Sequence, residues 1–210
     1  MKGRCTVLPN QKLAFDTLER GMGIMELLFV LALGVTLAGI AIPLTSESIE
    51  EIRVASAARN LATRVGGMRI DALKRSTCIG MRFQRATVNQ DDYAFELFVD
   101  GNGNGVRSAD ISSGIDSRTG AAQRLGDQFP GVTFGLLPGV PDADAQSGTG
   151  TDGVRIGTAR ILTMSPDGSS SSGTLYVRGR RTQYAIRVLG ATGRTRVLYY
   201  HPGKRQWISK

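Results

Sequence analysis

From Leu27 to Leu44, eighteen consecutive residues carry no charge, and Thr36 is the only polar side chain among them. A helix of that length and apolarity matches the hydrocarbon thickness of a bilayer. The run is too long for the hydrophobic part of an ordinary secretory signal, and no convincing A-x-A cleavage site follows it. Upstream, Met1–Gly21 is polar and carries Lys2, Arg4, Lys12 and Arg20. A basic flank of this kind keeps the N-terminus cytoplasmic and sends the rest of the chain across the membrane.

Past Pro43 the apolar residues form a helical stripe. Ile49, Ile52, Ala55, Ala58, Leu61, Val65, Met68 and Ala72 follow one another at steps of three or four, which places them on one face. Glu50, Glu51, Arg53, Arg59, Arg64, Arg69 and Lys74 lie largely off it. The spacing predicts one helix from about Gly23 to Lys74, roughly 80 Å long, half suited to lipid and half to packing on a domain. Gly66-Gly67 weakens such a helix by about 1 kcal/mol per glycine relative to alanine, so a bend or fray is expected there.

After Lys74 the pattern turns to β structure. Candidate strands are Cys78–Phe83, Tyr93–Val99, Val132–Leu136, Val154–Met164, Gly173–Arg178, Gln183–Leu189 and Arg194–Tyr200, most of them β-branched or aromatic runs bounded by Gly, Asp, Ser or Pro. Gly101–Gly126 and Pro138–Gly153 read as loops, and Ser169–Ser172 as a flexible turn. Twenty-seven glycines against seven prolines suit a turn-rich β domain. Strands grouped without intervening helices imply an α+β fold: a long transmembrane and amphipathic N-terminal helix packed on an antiparallel, sandwich-like β domain. The organisation is a leader over 1–21, the apolar half of the helix over 22–44, its amphipathic half over 45–76, and a β-rich globular domain over 77–210.

Composition narrows the chemistry. A single histidine, His201, and two cysteines, Cys5 and Cys78, leave no His-plus-His metal site and no four-cysteine zinc site. No nucleophile–base–orienter set is visible, so the chain reads as a non-enzyme without a cofactor, calcium being the one candidate ligand. Asp100-Gly101-Asn102-Gly103-Asn104-Gly105 places oxygen ligands at positions one, three and five of a calcium loop, with glycine at six and Asp110 further on. Ile111 stands at position twelve, where a bidentate carboxylate belongs, and a plain Asn/Gly turn explains the same residues. Cys78 reads as a small strand residue, and His201, before Pro202-Gly203, as part of a turn.

The junction between leader and apolar run carries the sharpest signal. Gly21-Met22-Gly23-Ile24-Met25-Glu26 ends a basic leader in glycine and then sets one glutamate inside an otherwise apolar helix. A lone carboxylate at that depth costs several kcal/mol unless it finds a partner. Cleavage after Gly21 would create a cationic amine at Met22, able to neutralise Glu26 of a neighbouring subunit. The plainer reading is a carboxylate that snorkels to the interface.

Gly-x-x-x-x-Glu followed by an apolar helix resembles the prepilin signal of type IV pilins and type II secretion pseudopilins. The resemblance implies that prepilin peptidase cuts between Gly21 and Met22, that Met22 becomes N-methylated, and that Glu26 pairs subunits. Pro43 matches the helix-softening proline common in pilins; Met22 and Gly23 depart from the phenylalanine and threonine commonest there. Met68-Arg69-Ile70-Asp71-Ala72-Leu73-Lys74-Arg75, Ser165-Pro166-Asp167-Gly168 leading to Gly173-Thr174-Leu175-Tyr176-Val177, and Ala191-Thr192-Gly193-Arg194-Thr195-Arg196-Val197 are similar to the GspH/FimT branch of minor pilins and pseudopilins. The resemblance implies a minor pilin in the inner membrane, single-pass with a periplasmic C-terminal domain, that joins other pilins in an extracellular or periplasmic filament. A GspH-like pseudopilin serving protein export is the alternative within the class, and an anchored binding protein that never polymerises is the alternative outside it.

Charge adds a partner. Gly168–Lys210 holds nine basic residues and no acid, whereas Gln84–Asp167 holds eleven acids against six bases. Such asymmetry points to a polyanion or an anionic surface. In a strand starting near Arg194, side chains alternate, so Arg194 and Arg196 share a face that Tyr200 can join. Arg178, Arg180, Arg181 and Arg187 lie on or near the preceding strands. Gly193-Arg194-Thr195-Arg196 also resembles the GRxR element through which some FimT-type pilins bind DNA, which implies double-stranded DNA as a ligand. Anionic lipid headgroups, or a basic turn with no ligand, are the competing readings.

Overall fold

The computed structural model describes residues 23–86, 92–143 and 150–210; along the first helix, residues 40–47 are described as backbone alone. The leader, the Gly21–Met22 cleavage position and N-methylation at Met22 therefore lie outside the described residues. The chain divides into two units, Met1–Leu44 and Thr45–Lys210.

Helix α1 spans Ile24–Arg75, with Glu26 in its first turn and Lys74 and Arg75 in its last. Both ends thus carry the charge that complements the helix dipole. Within the first unit every described side chain from Gly23 to Gly39 is exposed. Among the described residues no helix is long and apolar enough to cross a membrane. The apolar run read from the sequence continues to Leu44, past the last described side chain of this unit.

In the second unit α1 is the floor of the core. Val54, Ala55, Ala57, Ala58, Leu61, Val65, Met68 and Ala72 are buried. The stripe begins later than the spacing predicted, because Ile49 and Ile52 are 41% and 65% exposed. The sheet covering the helix ends near Val54: a Cβ on Gly179 would lie 2.8 Å from the Val54 side chain. The helix also runs unbroken through Gly66-Gly67, where a bend or fray was expected. Burial of Val65 and Met68 on either side holds it, tertiary packing outweighing propensity.

Two antiparallel sheets close over this floor. One has four strands in the order β3-β2-β1-β6, from β1 (Ile79–Arg85), β2 (Tyr93–Val99), β3 (Ser117–Arg124) and β6 (Ile161–Met164). The other has six strands in the order β10-β9-β8-β7-β4, with β5 also on β7. Its members are β4 (Thr133–Phe134), β5 (Val154–Arg155), β7 (Gly173–Arg178), β8 (Gln183–Leu189), β9 (Arg194–His201) and β10 (Gln206–Ser209). Short helices α2 (Ser108–Ser113) and α3 (Leu125–Gln128) flank β3. One cluster joins Leu61 and Met68 of α1, Met81 and Phe95 of the first sheet, and Leu175 and Ile186 of the second. Phe134 lies among Phe83, Tyr93 and Phe95, at ring separations of 5.6, 6.2 and 6.3 Å. The α+β class and antiparallel pairing thus match the sequence reading.

Three differences have local causes. The expected strand Val154–Met164 is split, because Gly157 and Arg160 adopt positive φ of 47° and 50°. The loop expected over Gly101–Gly126 contains α2 and β3. Strand β3 is almost wholly exposed, so it carries no alternation to read. It is also bulged: Phe95 pairs with Gln123 and Leu97 with Thr119, which sets Glu96 alone against Gly120, Ala121 and Ala122.

Leu61 is fully buried and Ile52 largely exposed. Leu61→Ala is expected to lower unfolding stability by about 2–5 kcal/mol, and Ile52→Ala by less than about 0.5 kcal/mol. Urea unfolding of the full chain followed by circular dichroism measures both.

Candidate functional site

Strands β7, β8 and β9 send alternate residues into the core: Leu175 and Val177, Tyr184, Ile186 and Val188, with Val197 and Tyr199 packed against them. The intervening residues lie on the outer face, and the register arranges them in rows. Arg155, Thr174, Arg187 and Arg196 form one row across four strands. Leu189 and Arg194 form the next row outward. On the other side come Tyr176, Ala185, Leu198 and Ser209, and then Arg178 opposite Gln183 and Tyr200 opposite Trp207.

The last two rows are covered. Leu136, Val140 and Ala143 pack on Tyr176, Ala185, Leu198 and Trp207, so that residues 136–143 form a strap over this half of the face. Gln183, 1% exposed, anchors it. Its amide donates to the Gly135 carbonyl at 3.1 Å, and its oxygen accepts the Leu137 N–H at 2.8 Å. The Trp207 indole N–H donates to the Pro141 carbonyl at 2.9 Å, and the Ala143 N–H donates to the Tyr176 hydroxyl oxygen at 3.0 Å. The Tyr176 hydroxyl in turn donates to Asp142.

In the other half Thr174 is buried, and the exposed part, on β9, is basic. Arg194 and Arg196 are exposed, and Arg187 stands directly opposite Arg196. Tyr200 lies on the arginine side, as the alternation predicted, but is buried beside Trp207 at 5.4 Å between ring centres.

Of the six arginines read from the sequence, the fold brings Arg187, Arg194 and Arg196 together. Arg178 does not join them: it sits at the far end of β7, its Nε 2.6 Å from where a Gly135 Cβ would be. Arg180 and Arg181 lie on the β7–β8 hairpin tip, where the Arg181 N–H donates to Glu50 at 2.8 Å. Arg155 was missed. Membership of a row depends on which strands pair, and that is not written in the local pattern.

The turn that delivers Arg194 is tightly specified. Gly193 adopts φ 59°, its N–H donates to the Leu189 carbonyl at 2.8 Å, and a Cβ there would meet the Gly168 carbonyl oxygen at 2.7 Å. Arg69 of α1 lies against both glycines: its Cδ is 3.2 Å from where a Gly193 Cβ would be, and its Nη2 3.3 Å from where a Gly168 Cβ would be.

Among the described residues, most carboxylates of the acidic stretch are engaged within the protein. Asp100 accepts backbone N–H groups from Asn102, Gly103 and Gly105, and Asp116 accepts those of Gly101 and Arg107. Asp92 accepts from Tyr93 and Phe134; burial pushes its carboxyl above the usual range against those two donors. Burial acts to raise Asp152 as well. There the Tyr93 hydroxyl, the Val154 N–H and Arg160 prevail and hold it below the usual range. Glu96 pairs with Arg118, Asp127 with Arg124 and Asp142 with Arg155.

The calcium expectation falls on this loop. Asp100 is occupied in shaping the turn, and Asn102 Oδ1 accepts the Asn104 N–H at 3.2 Å. Asp110 caps α2 through its backbone carbonyl, which accepts from Ile115 and Asp116. Among the described residues no group of three or more carboxylate, histidine or cysteine side chains is placed to hold a metal. The side chains of Asp100 and Asn102 and the backbone carbonyl of Asp110 thus help to shape this loop. Glu26 is exposed in the first turn of α1, among the exposed apolar side chains of the first unit.

The chain is 35% identical over 86 residues to the pilin-like protein PilA1 of Thermus thermophilus. The match covers 41% of this chain and 51% of that protein, so the chain spans about half the length of the curated relative it matches. This likeness supports a type IV pilin-like relationship. No family profile and no solved structure matches the chain.

Gly193→Ala is expected to lower stability by at least about 1–2 kcal/mol, since alanine must take a left-handed conformation and displace the Gly168 carbonyl. Thermal denaturation of the full chain measures it.

Proposed function

We propose that the chain is a minor pilin subunit of a type IV pilus-like filament, held in the inner membrane until assembly and binding DNA through the exposed part of its outer sheet face. The likeness to a pilin-like protein is the observation that carries the first part. The peptidase cuts after Gly21, and the new amine at Met22 is methylated. The apolar residues from Leu27 onward lie in lipid before assembly and pack against other pilin helices after it. In that low-dielectric setting Glu26 needs a cation, and the amine of a neighbouring subunit supplies one. A pseudopilin of a type II secretion system would share leader and helix; the basic face favours the pilus reading.

The DNA reading rests on Arg194 and Arg196, exposed on one face of β9, with Arg187 opposite Arg196 on β8. Contacts from arginine to phosphate give sequence-independent binding in the micromolar range that weakens steeply with salt.

Two measurements test this reading. Mass spectrometry of the protein from native membranes is expected to show a chain beginning at Met22, about 2 kDa shorter than the precursor; intact Met1 in the assembled form overturns the prepilin reading. The full chain in detergent, titrated with random-sequence duplex DNA at several salt concentrations, is expected to bind. Arg194→Gln with Arg196→Gln should weaken binding and flatten the salt slope by about two units. Binding indifferent to both substitutions removes DNA from the function.

A further inference from the structure

Arg155 shares a row with Thr174, Arg187 and Arg196, and its guanidinium is engaged within the protein. Its guanidinium is ion-paired with Asp142 of the strap, and the two side chains are only 15% and 11% exposed. It lies 5.4 Å from the centre of the Tyr176 ring, and its Nη2 donates to the Gly150 carbonyl at 2.6 Å. Asp142 has a second partner in the Tyr176 hydroxyl. Three strand spacings separate Arg155 from Arg196, roughly 14 Å. That is the axial run of about four nucleotides of one strand.

We infer that Arg155 is a further cation of the polyanion-binding row and that Asp142 occupies it as an internal stand-in for a phosphate. The strap, as well as the exposed arginines, then sets how tightly a polyanion is held. The chemistry is that of a phosphodiester: an arginine fork takes a carboxylate or a phosphate in the same planar geometry. With Asp142 in place the pair is neutral, and Arg155 releases no counterion when DNA binds. With Asp142 neutralised, the row gains one phosphate contact at its β5 end, with the buried Thr174 between it and Arg187 and Arg196, while the Tyr176 hydroxyl remains to hold the strap residue. The inference rests on the DNA reading given above.

The test is a salt series of duplex-DNA binding by the full chain in detergent, with circular dichroism confirming that each variant is folded. Asp142→Asn is expected to steepen the salt slope by about 0.9 and to bind several-fold tighter at low salt. Arg155→Gln alone leaves Asp142 uncompensated and should weaken binding at low salt without steepening the slope. Adding Arg155→Gln to Asp142→Asn should cancel the gain, whereas adding Arg155→Lys should retain it. Trp207→Phe, which removes the donor to Pro141 and leaves the charge count alone, should give a smaller steepening by loosening the strap. If the wild type binds and neither Asp142→Asn nor Trp207→Phe changes the slope, the inference fails and the DNA reading stands. If neither the wild type nor Asp142→Asn binds, both fail.

Discussion

Everything in the second unit rests on how closely two sheets approach one helix. Ala55, Ala57, Ala58 and Ala72 lie on the buried side of α1 to either side of larger residues, Leu61, Val65 and Met68. Alanine leaves no bulk to hold a sheet away, so the large side chains interlock with Met81, Phe95, Leu175 and Ile186. Each fully buried aliphatic or aromatic side chain contributes roughly 1.5–3 kcal/mol. Once the inner faces are committed to the helix, the period-two alternation of the strands leaves no choice about which residues face outward. The basic rows are a consequence of that commitment.

The outer face then solves a second problem. A sheet with one face on the core still presents Tyr176, Leu198 and Trp207 on the other, and residues 136–143 cover them. The cover is specified by polar anchors as much as by apolar contact. Gln183 commits its whole amide to backbone partners, including the Val177 and Tyr184 carbonyls. An unsatisfied amide there would cost about 1–3 kcal/mol, so strap and sheet are coupled through one side chain. Carboxylates are likewise drawn into the structure. Most of the acids between Gln84 and Asp167 organise turns or pair with arginines.

Much of this was legible from the residues. Strands β2, β7 and β8 were read at their observed limits because they are half-buried, β-branched or aromatic, and bounded by turn residues. The shared face of Arg194, Arg196 and Tyr200 followed from alternation alone. Strands β3 and β10 were not legible, since edge strands with little burial leave no hydrophobic period. The start of the helix stripe was set too early because Ile49 and Ile52 continue the spacing beyond the point where the sheet stops. Arg155 and Asp142 stayed hidden for another reason: their pairing depends on strand order and strap placement, properties of the tertiary structure. The use of the acidic stretch was equally illegible, since a charge count does not tell a surface carboxylate from one consumed by backbone N–H groups.

The bulge in β3 has a bearing on what the chain can safely do at high density. An edge strand with a regular ladder offers unpaired N–H and C=O groups to any neighbouring strand, and growth by edge pairing is the route to aggregation. Three residues against one at Gly120–Ala122 break that ladder, and Arg118 and Arg124 flank it. The opposite sheet ends on β10, a short strand bracketed by Lys204, Arg205 and Lys210. The β3 and β10 borders are thus poor templates for zipping one copy onto the next.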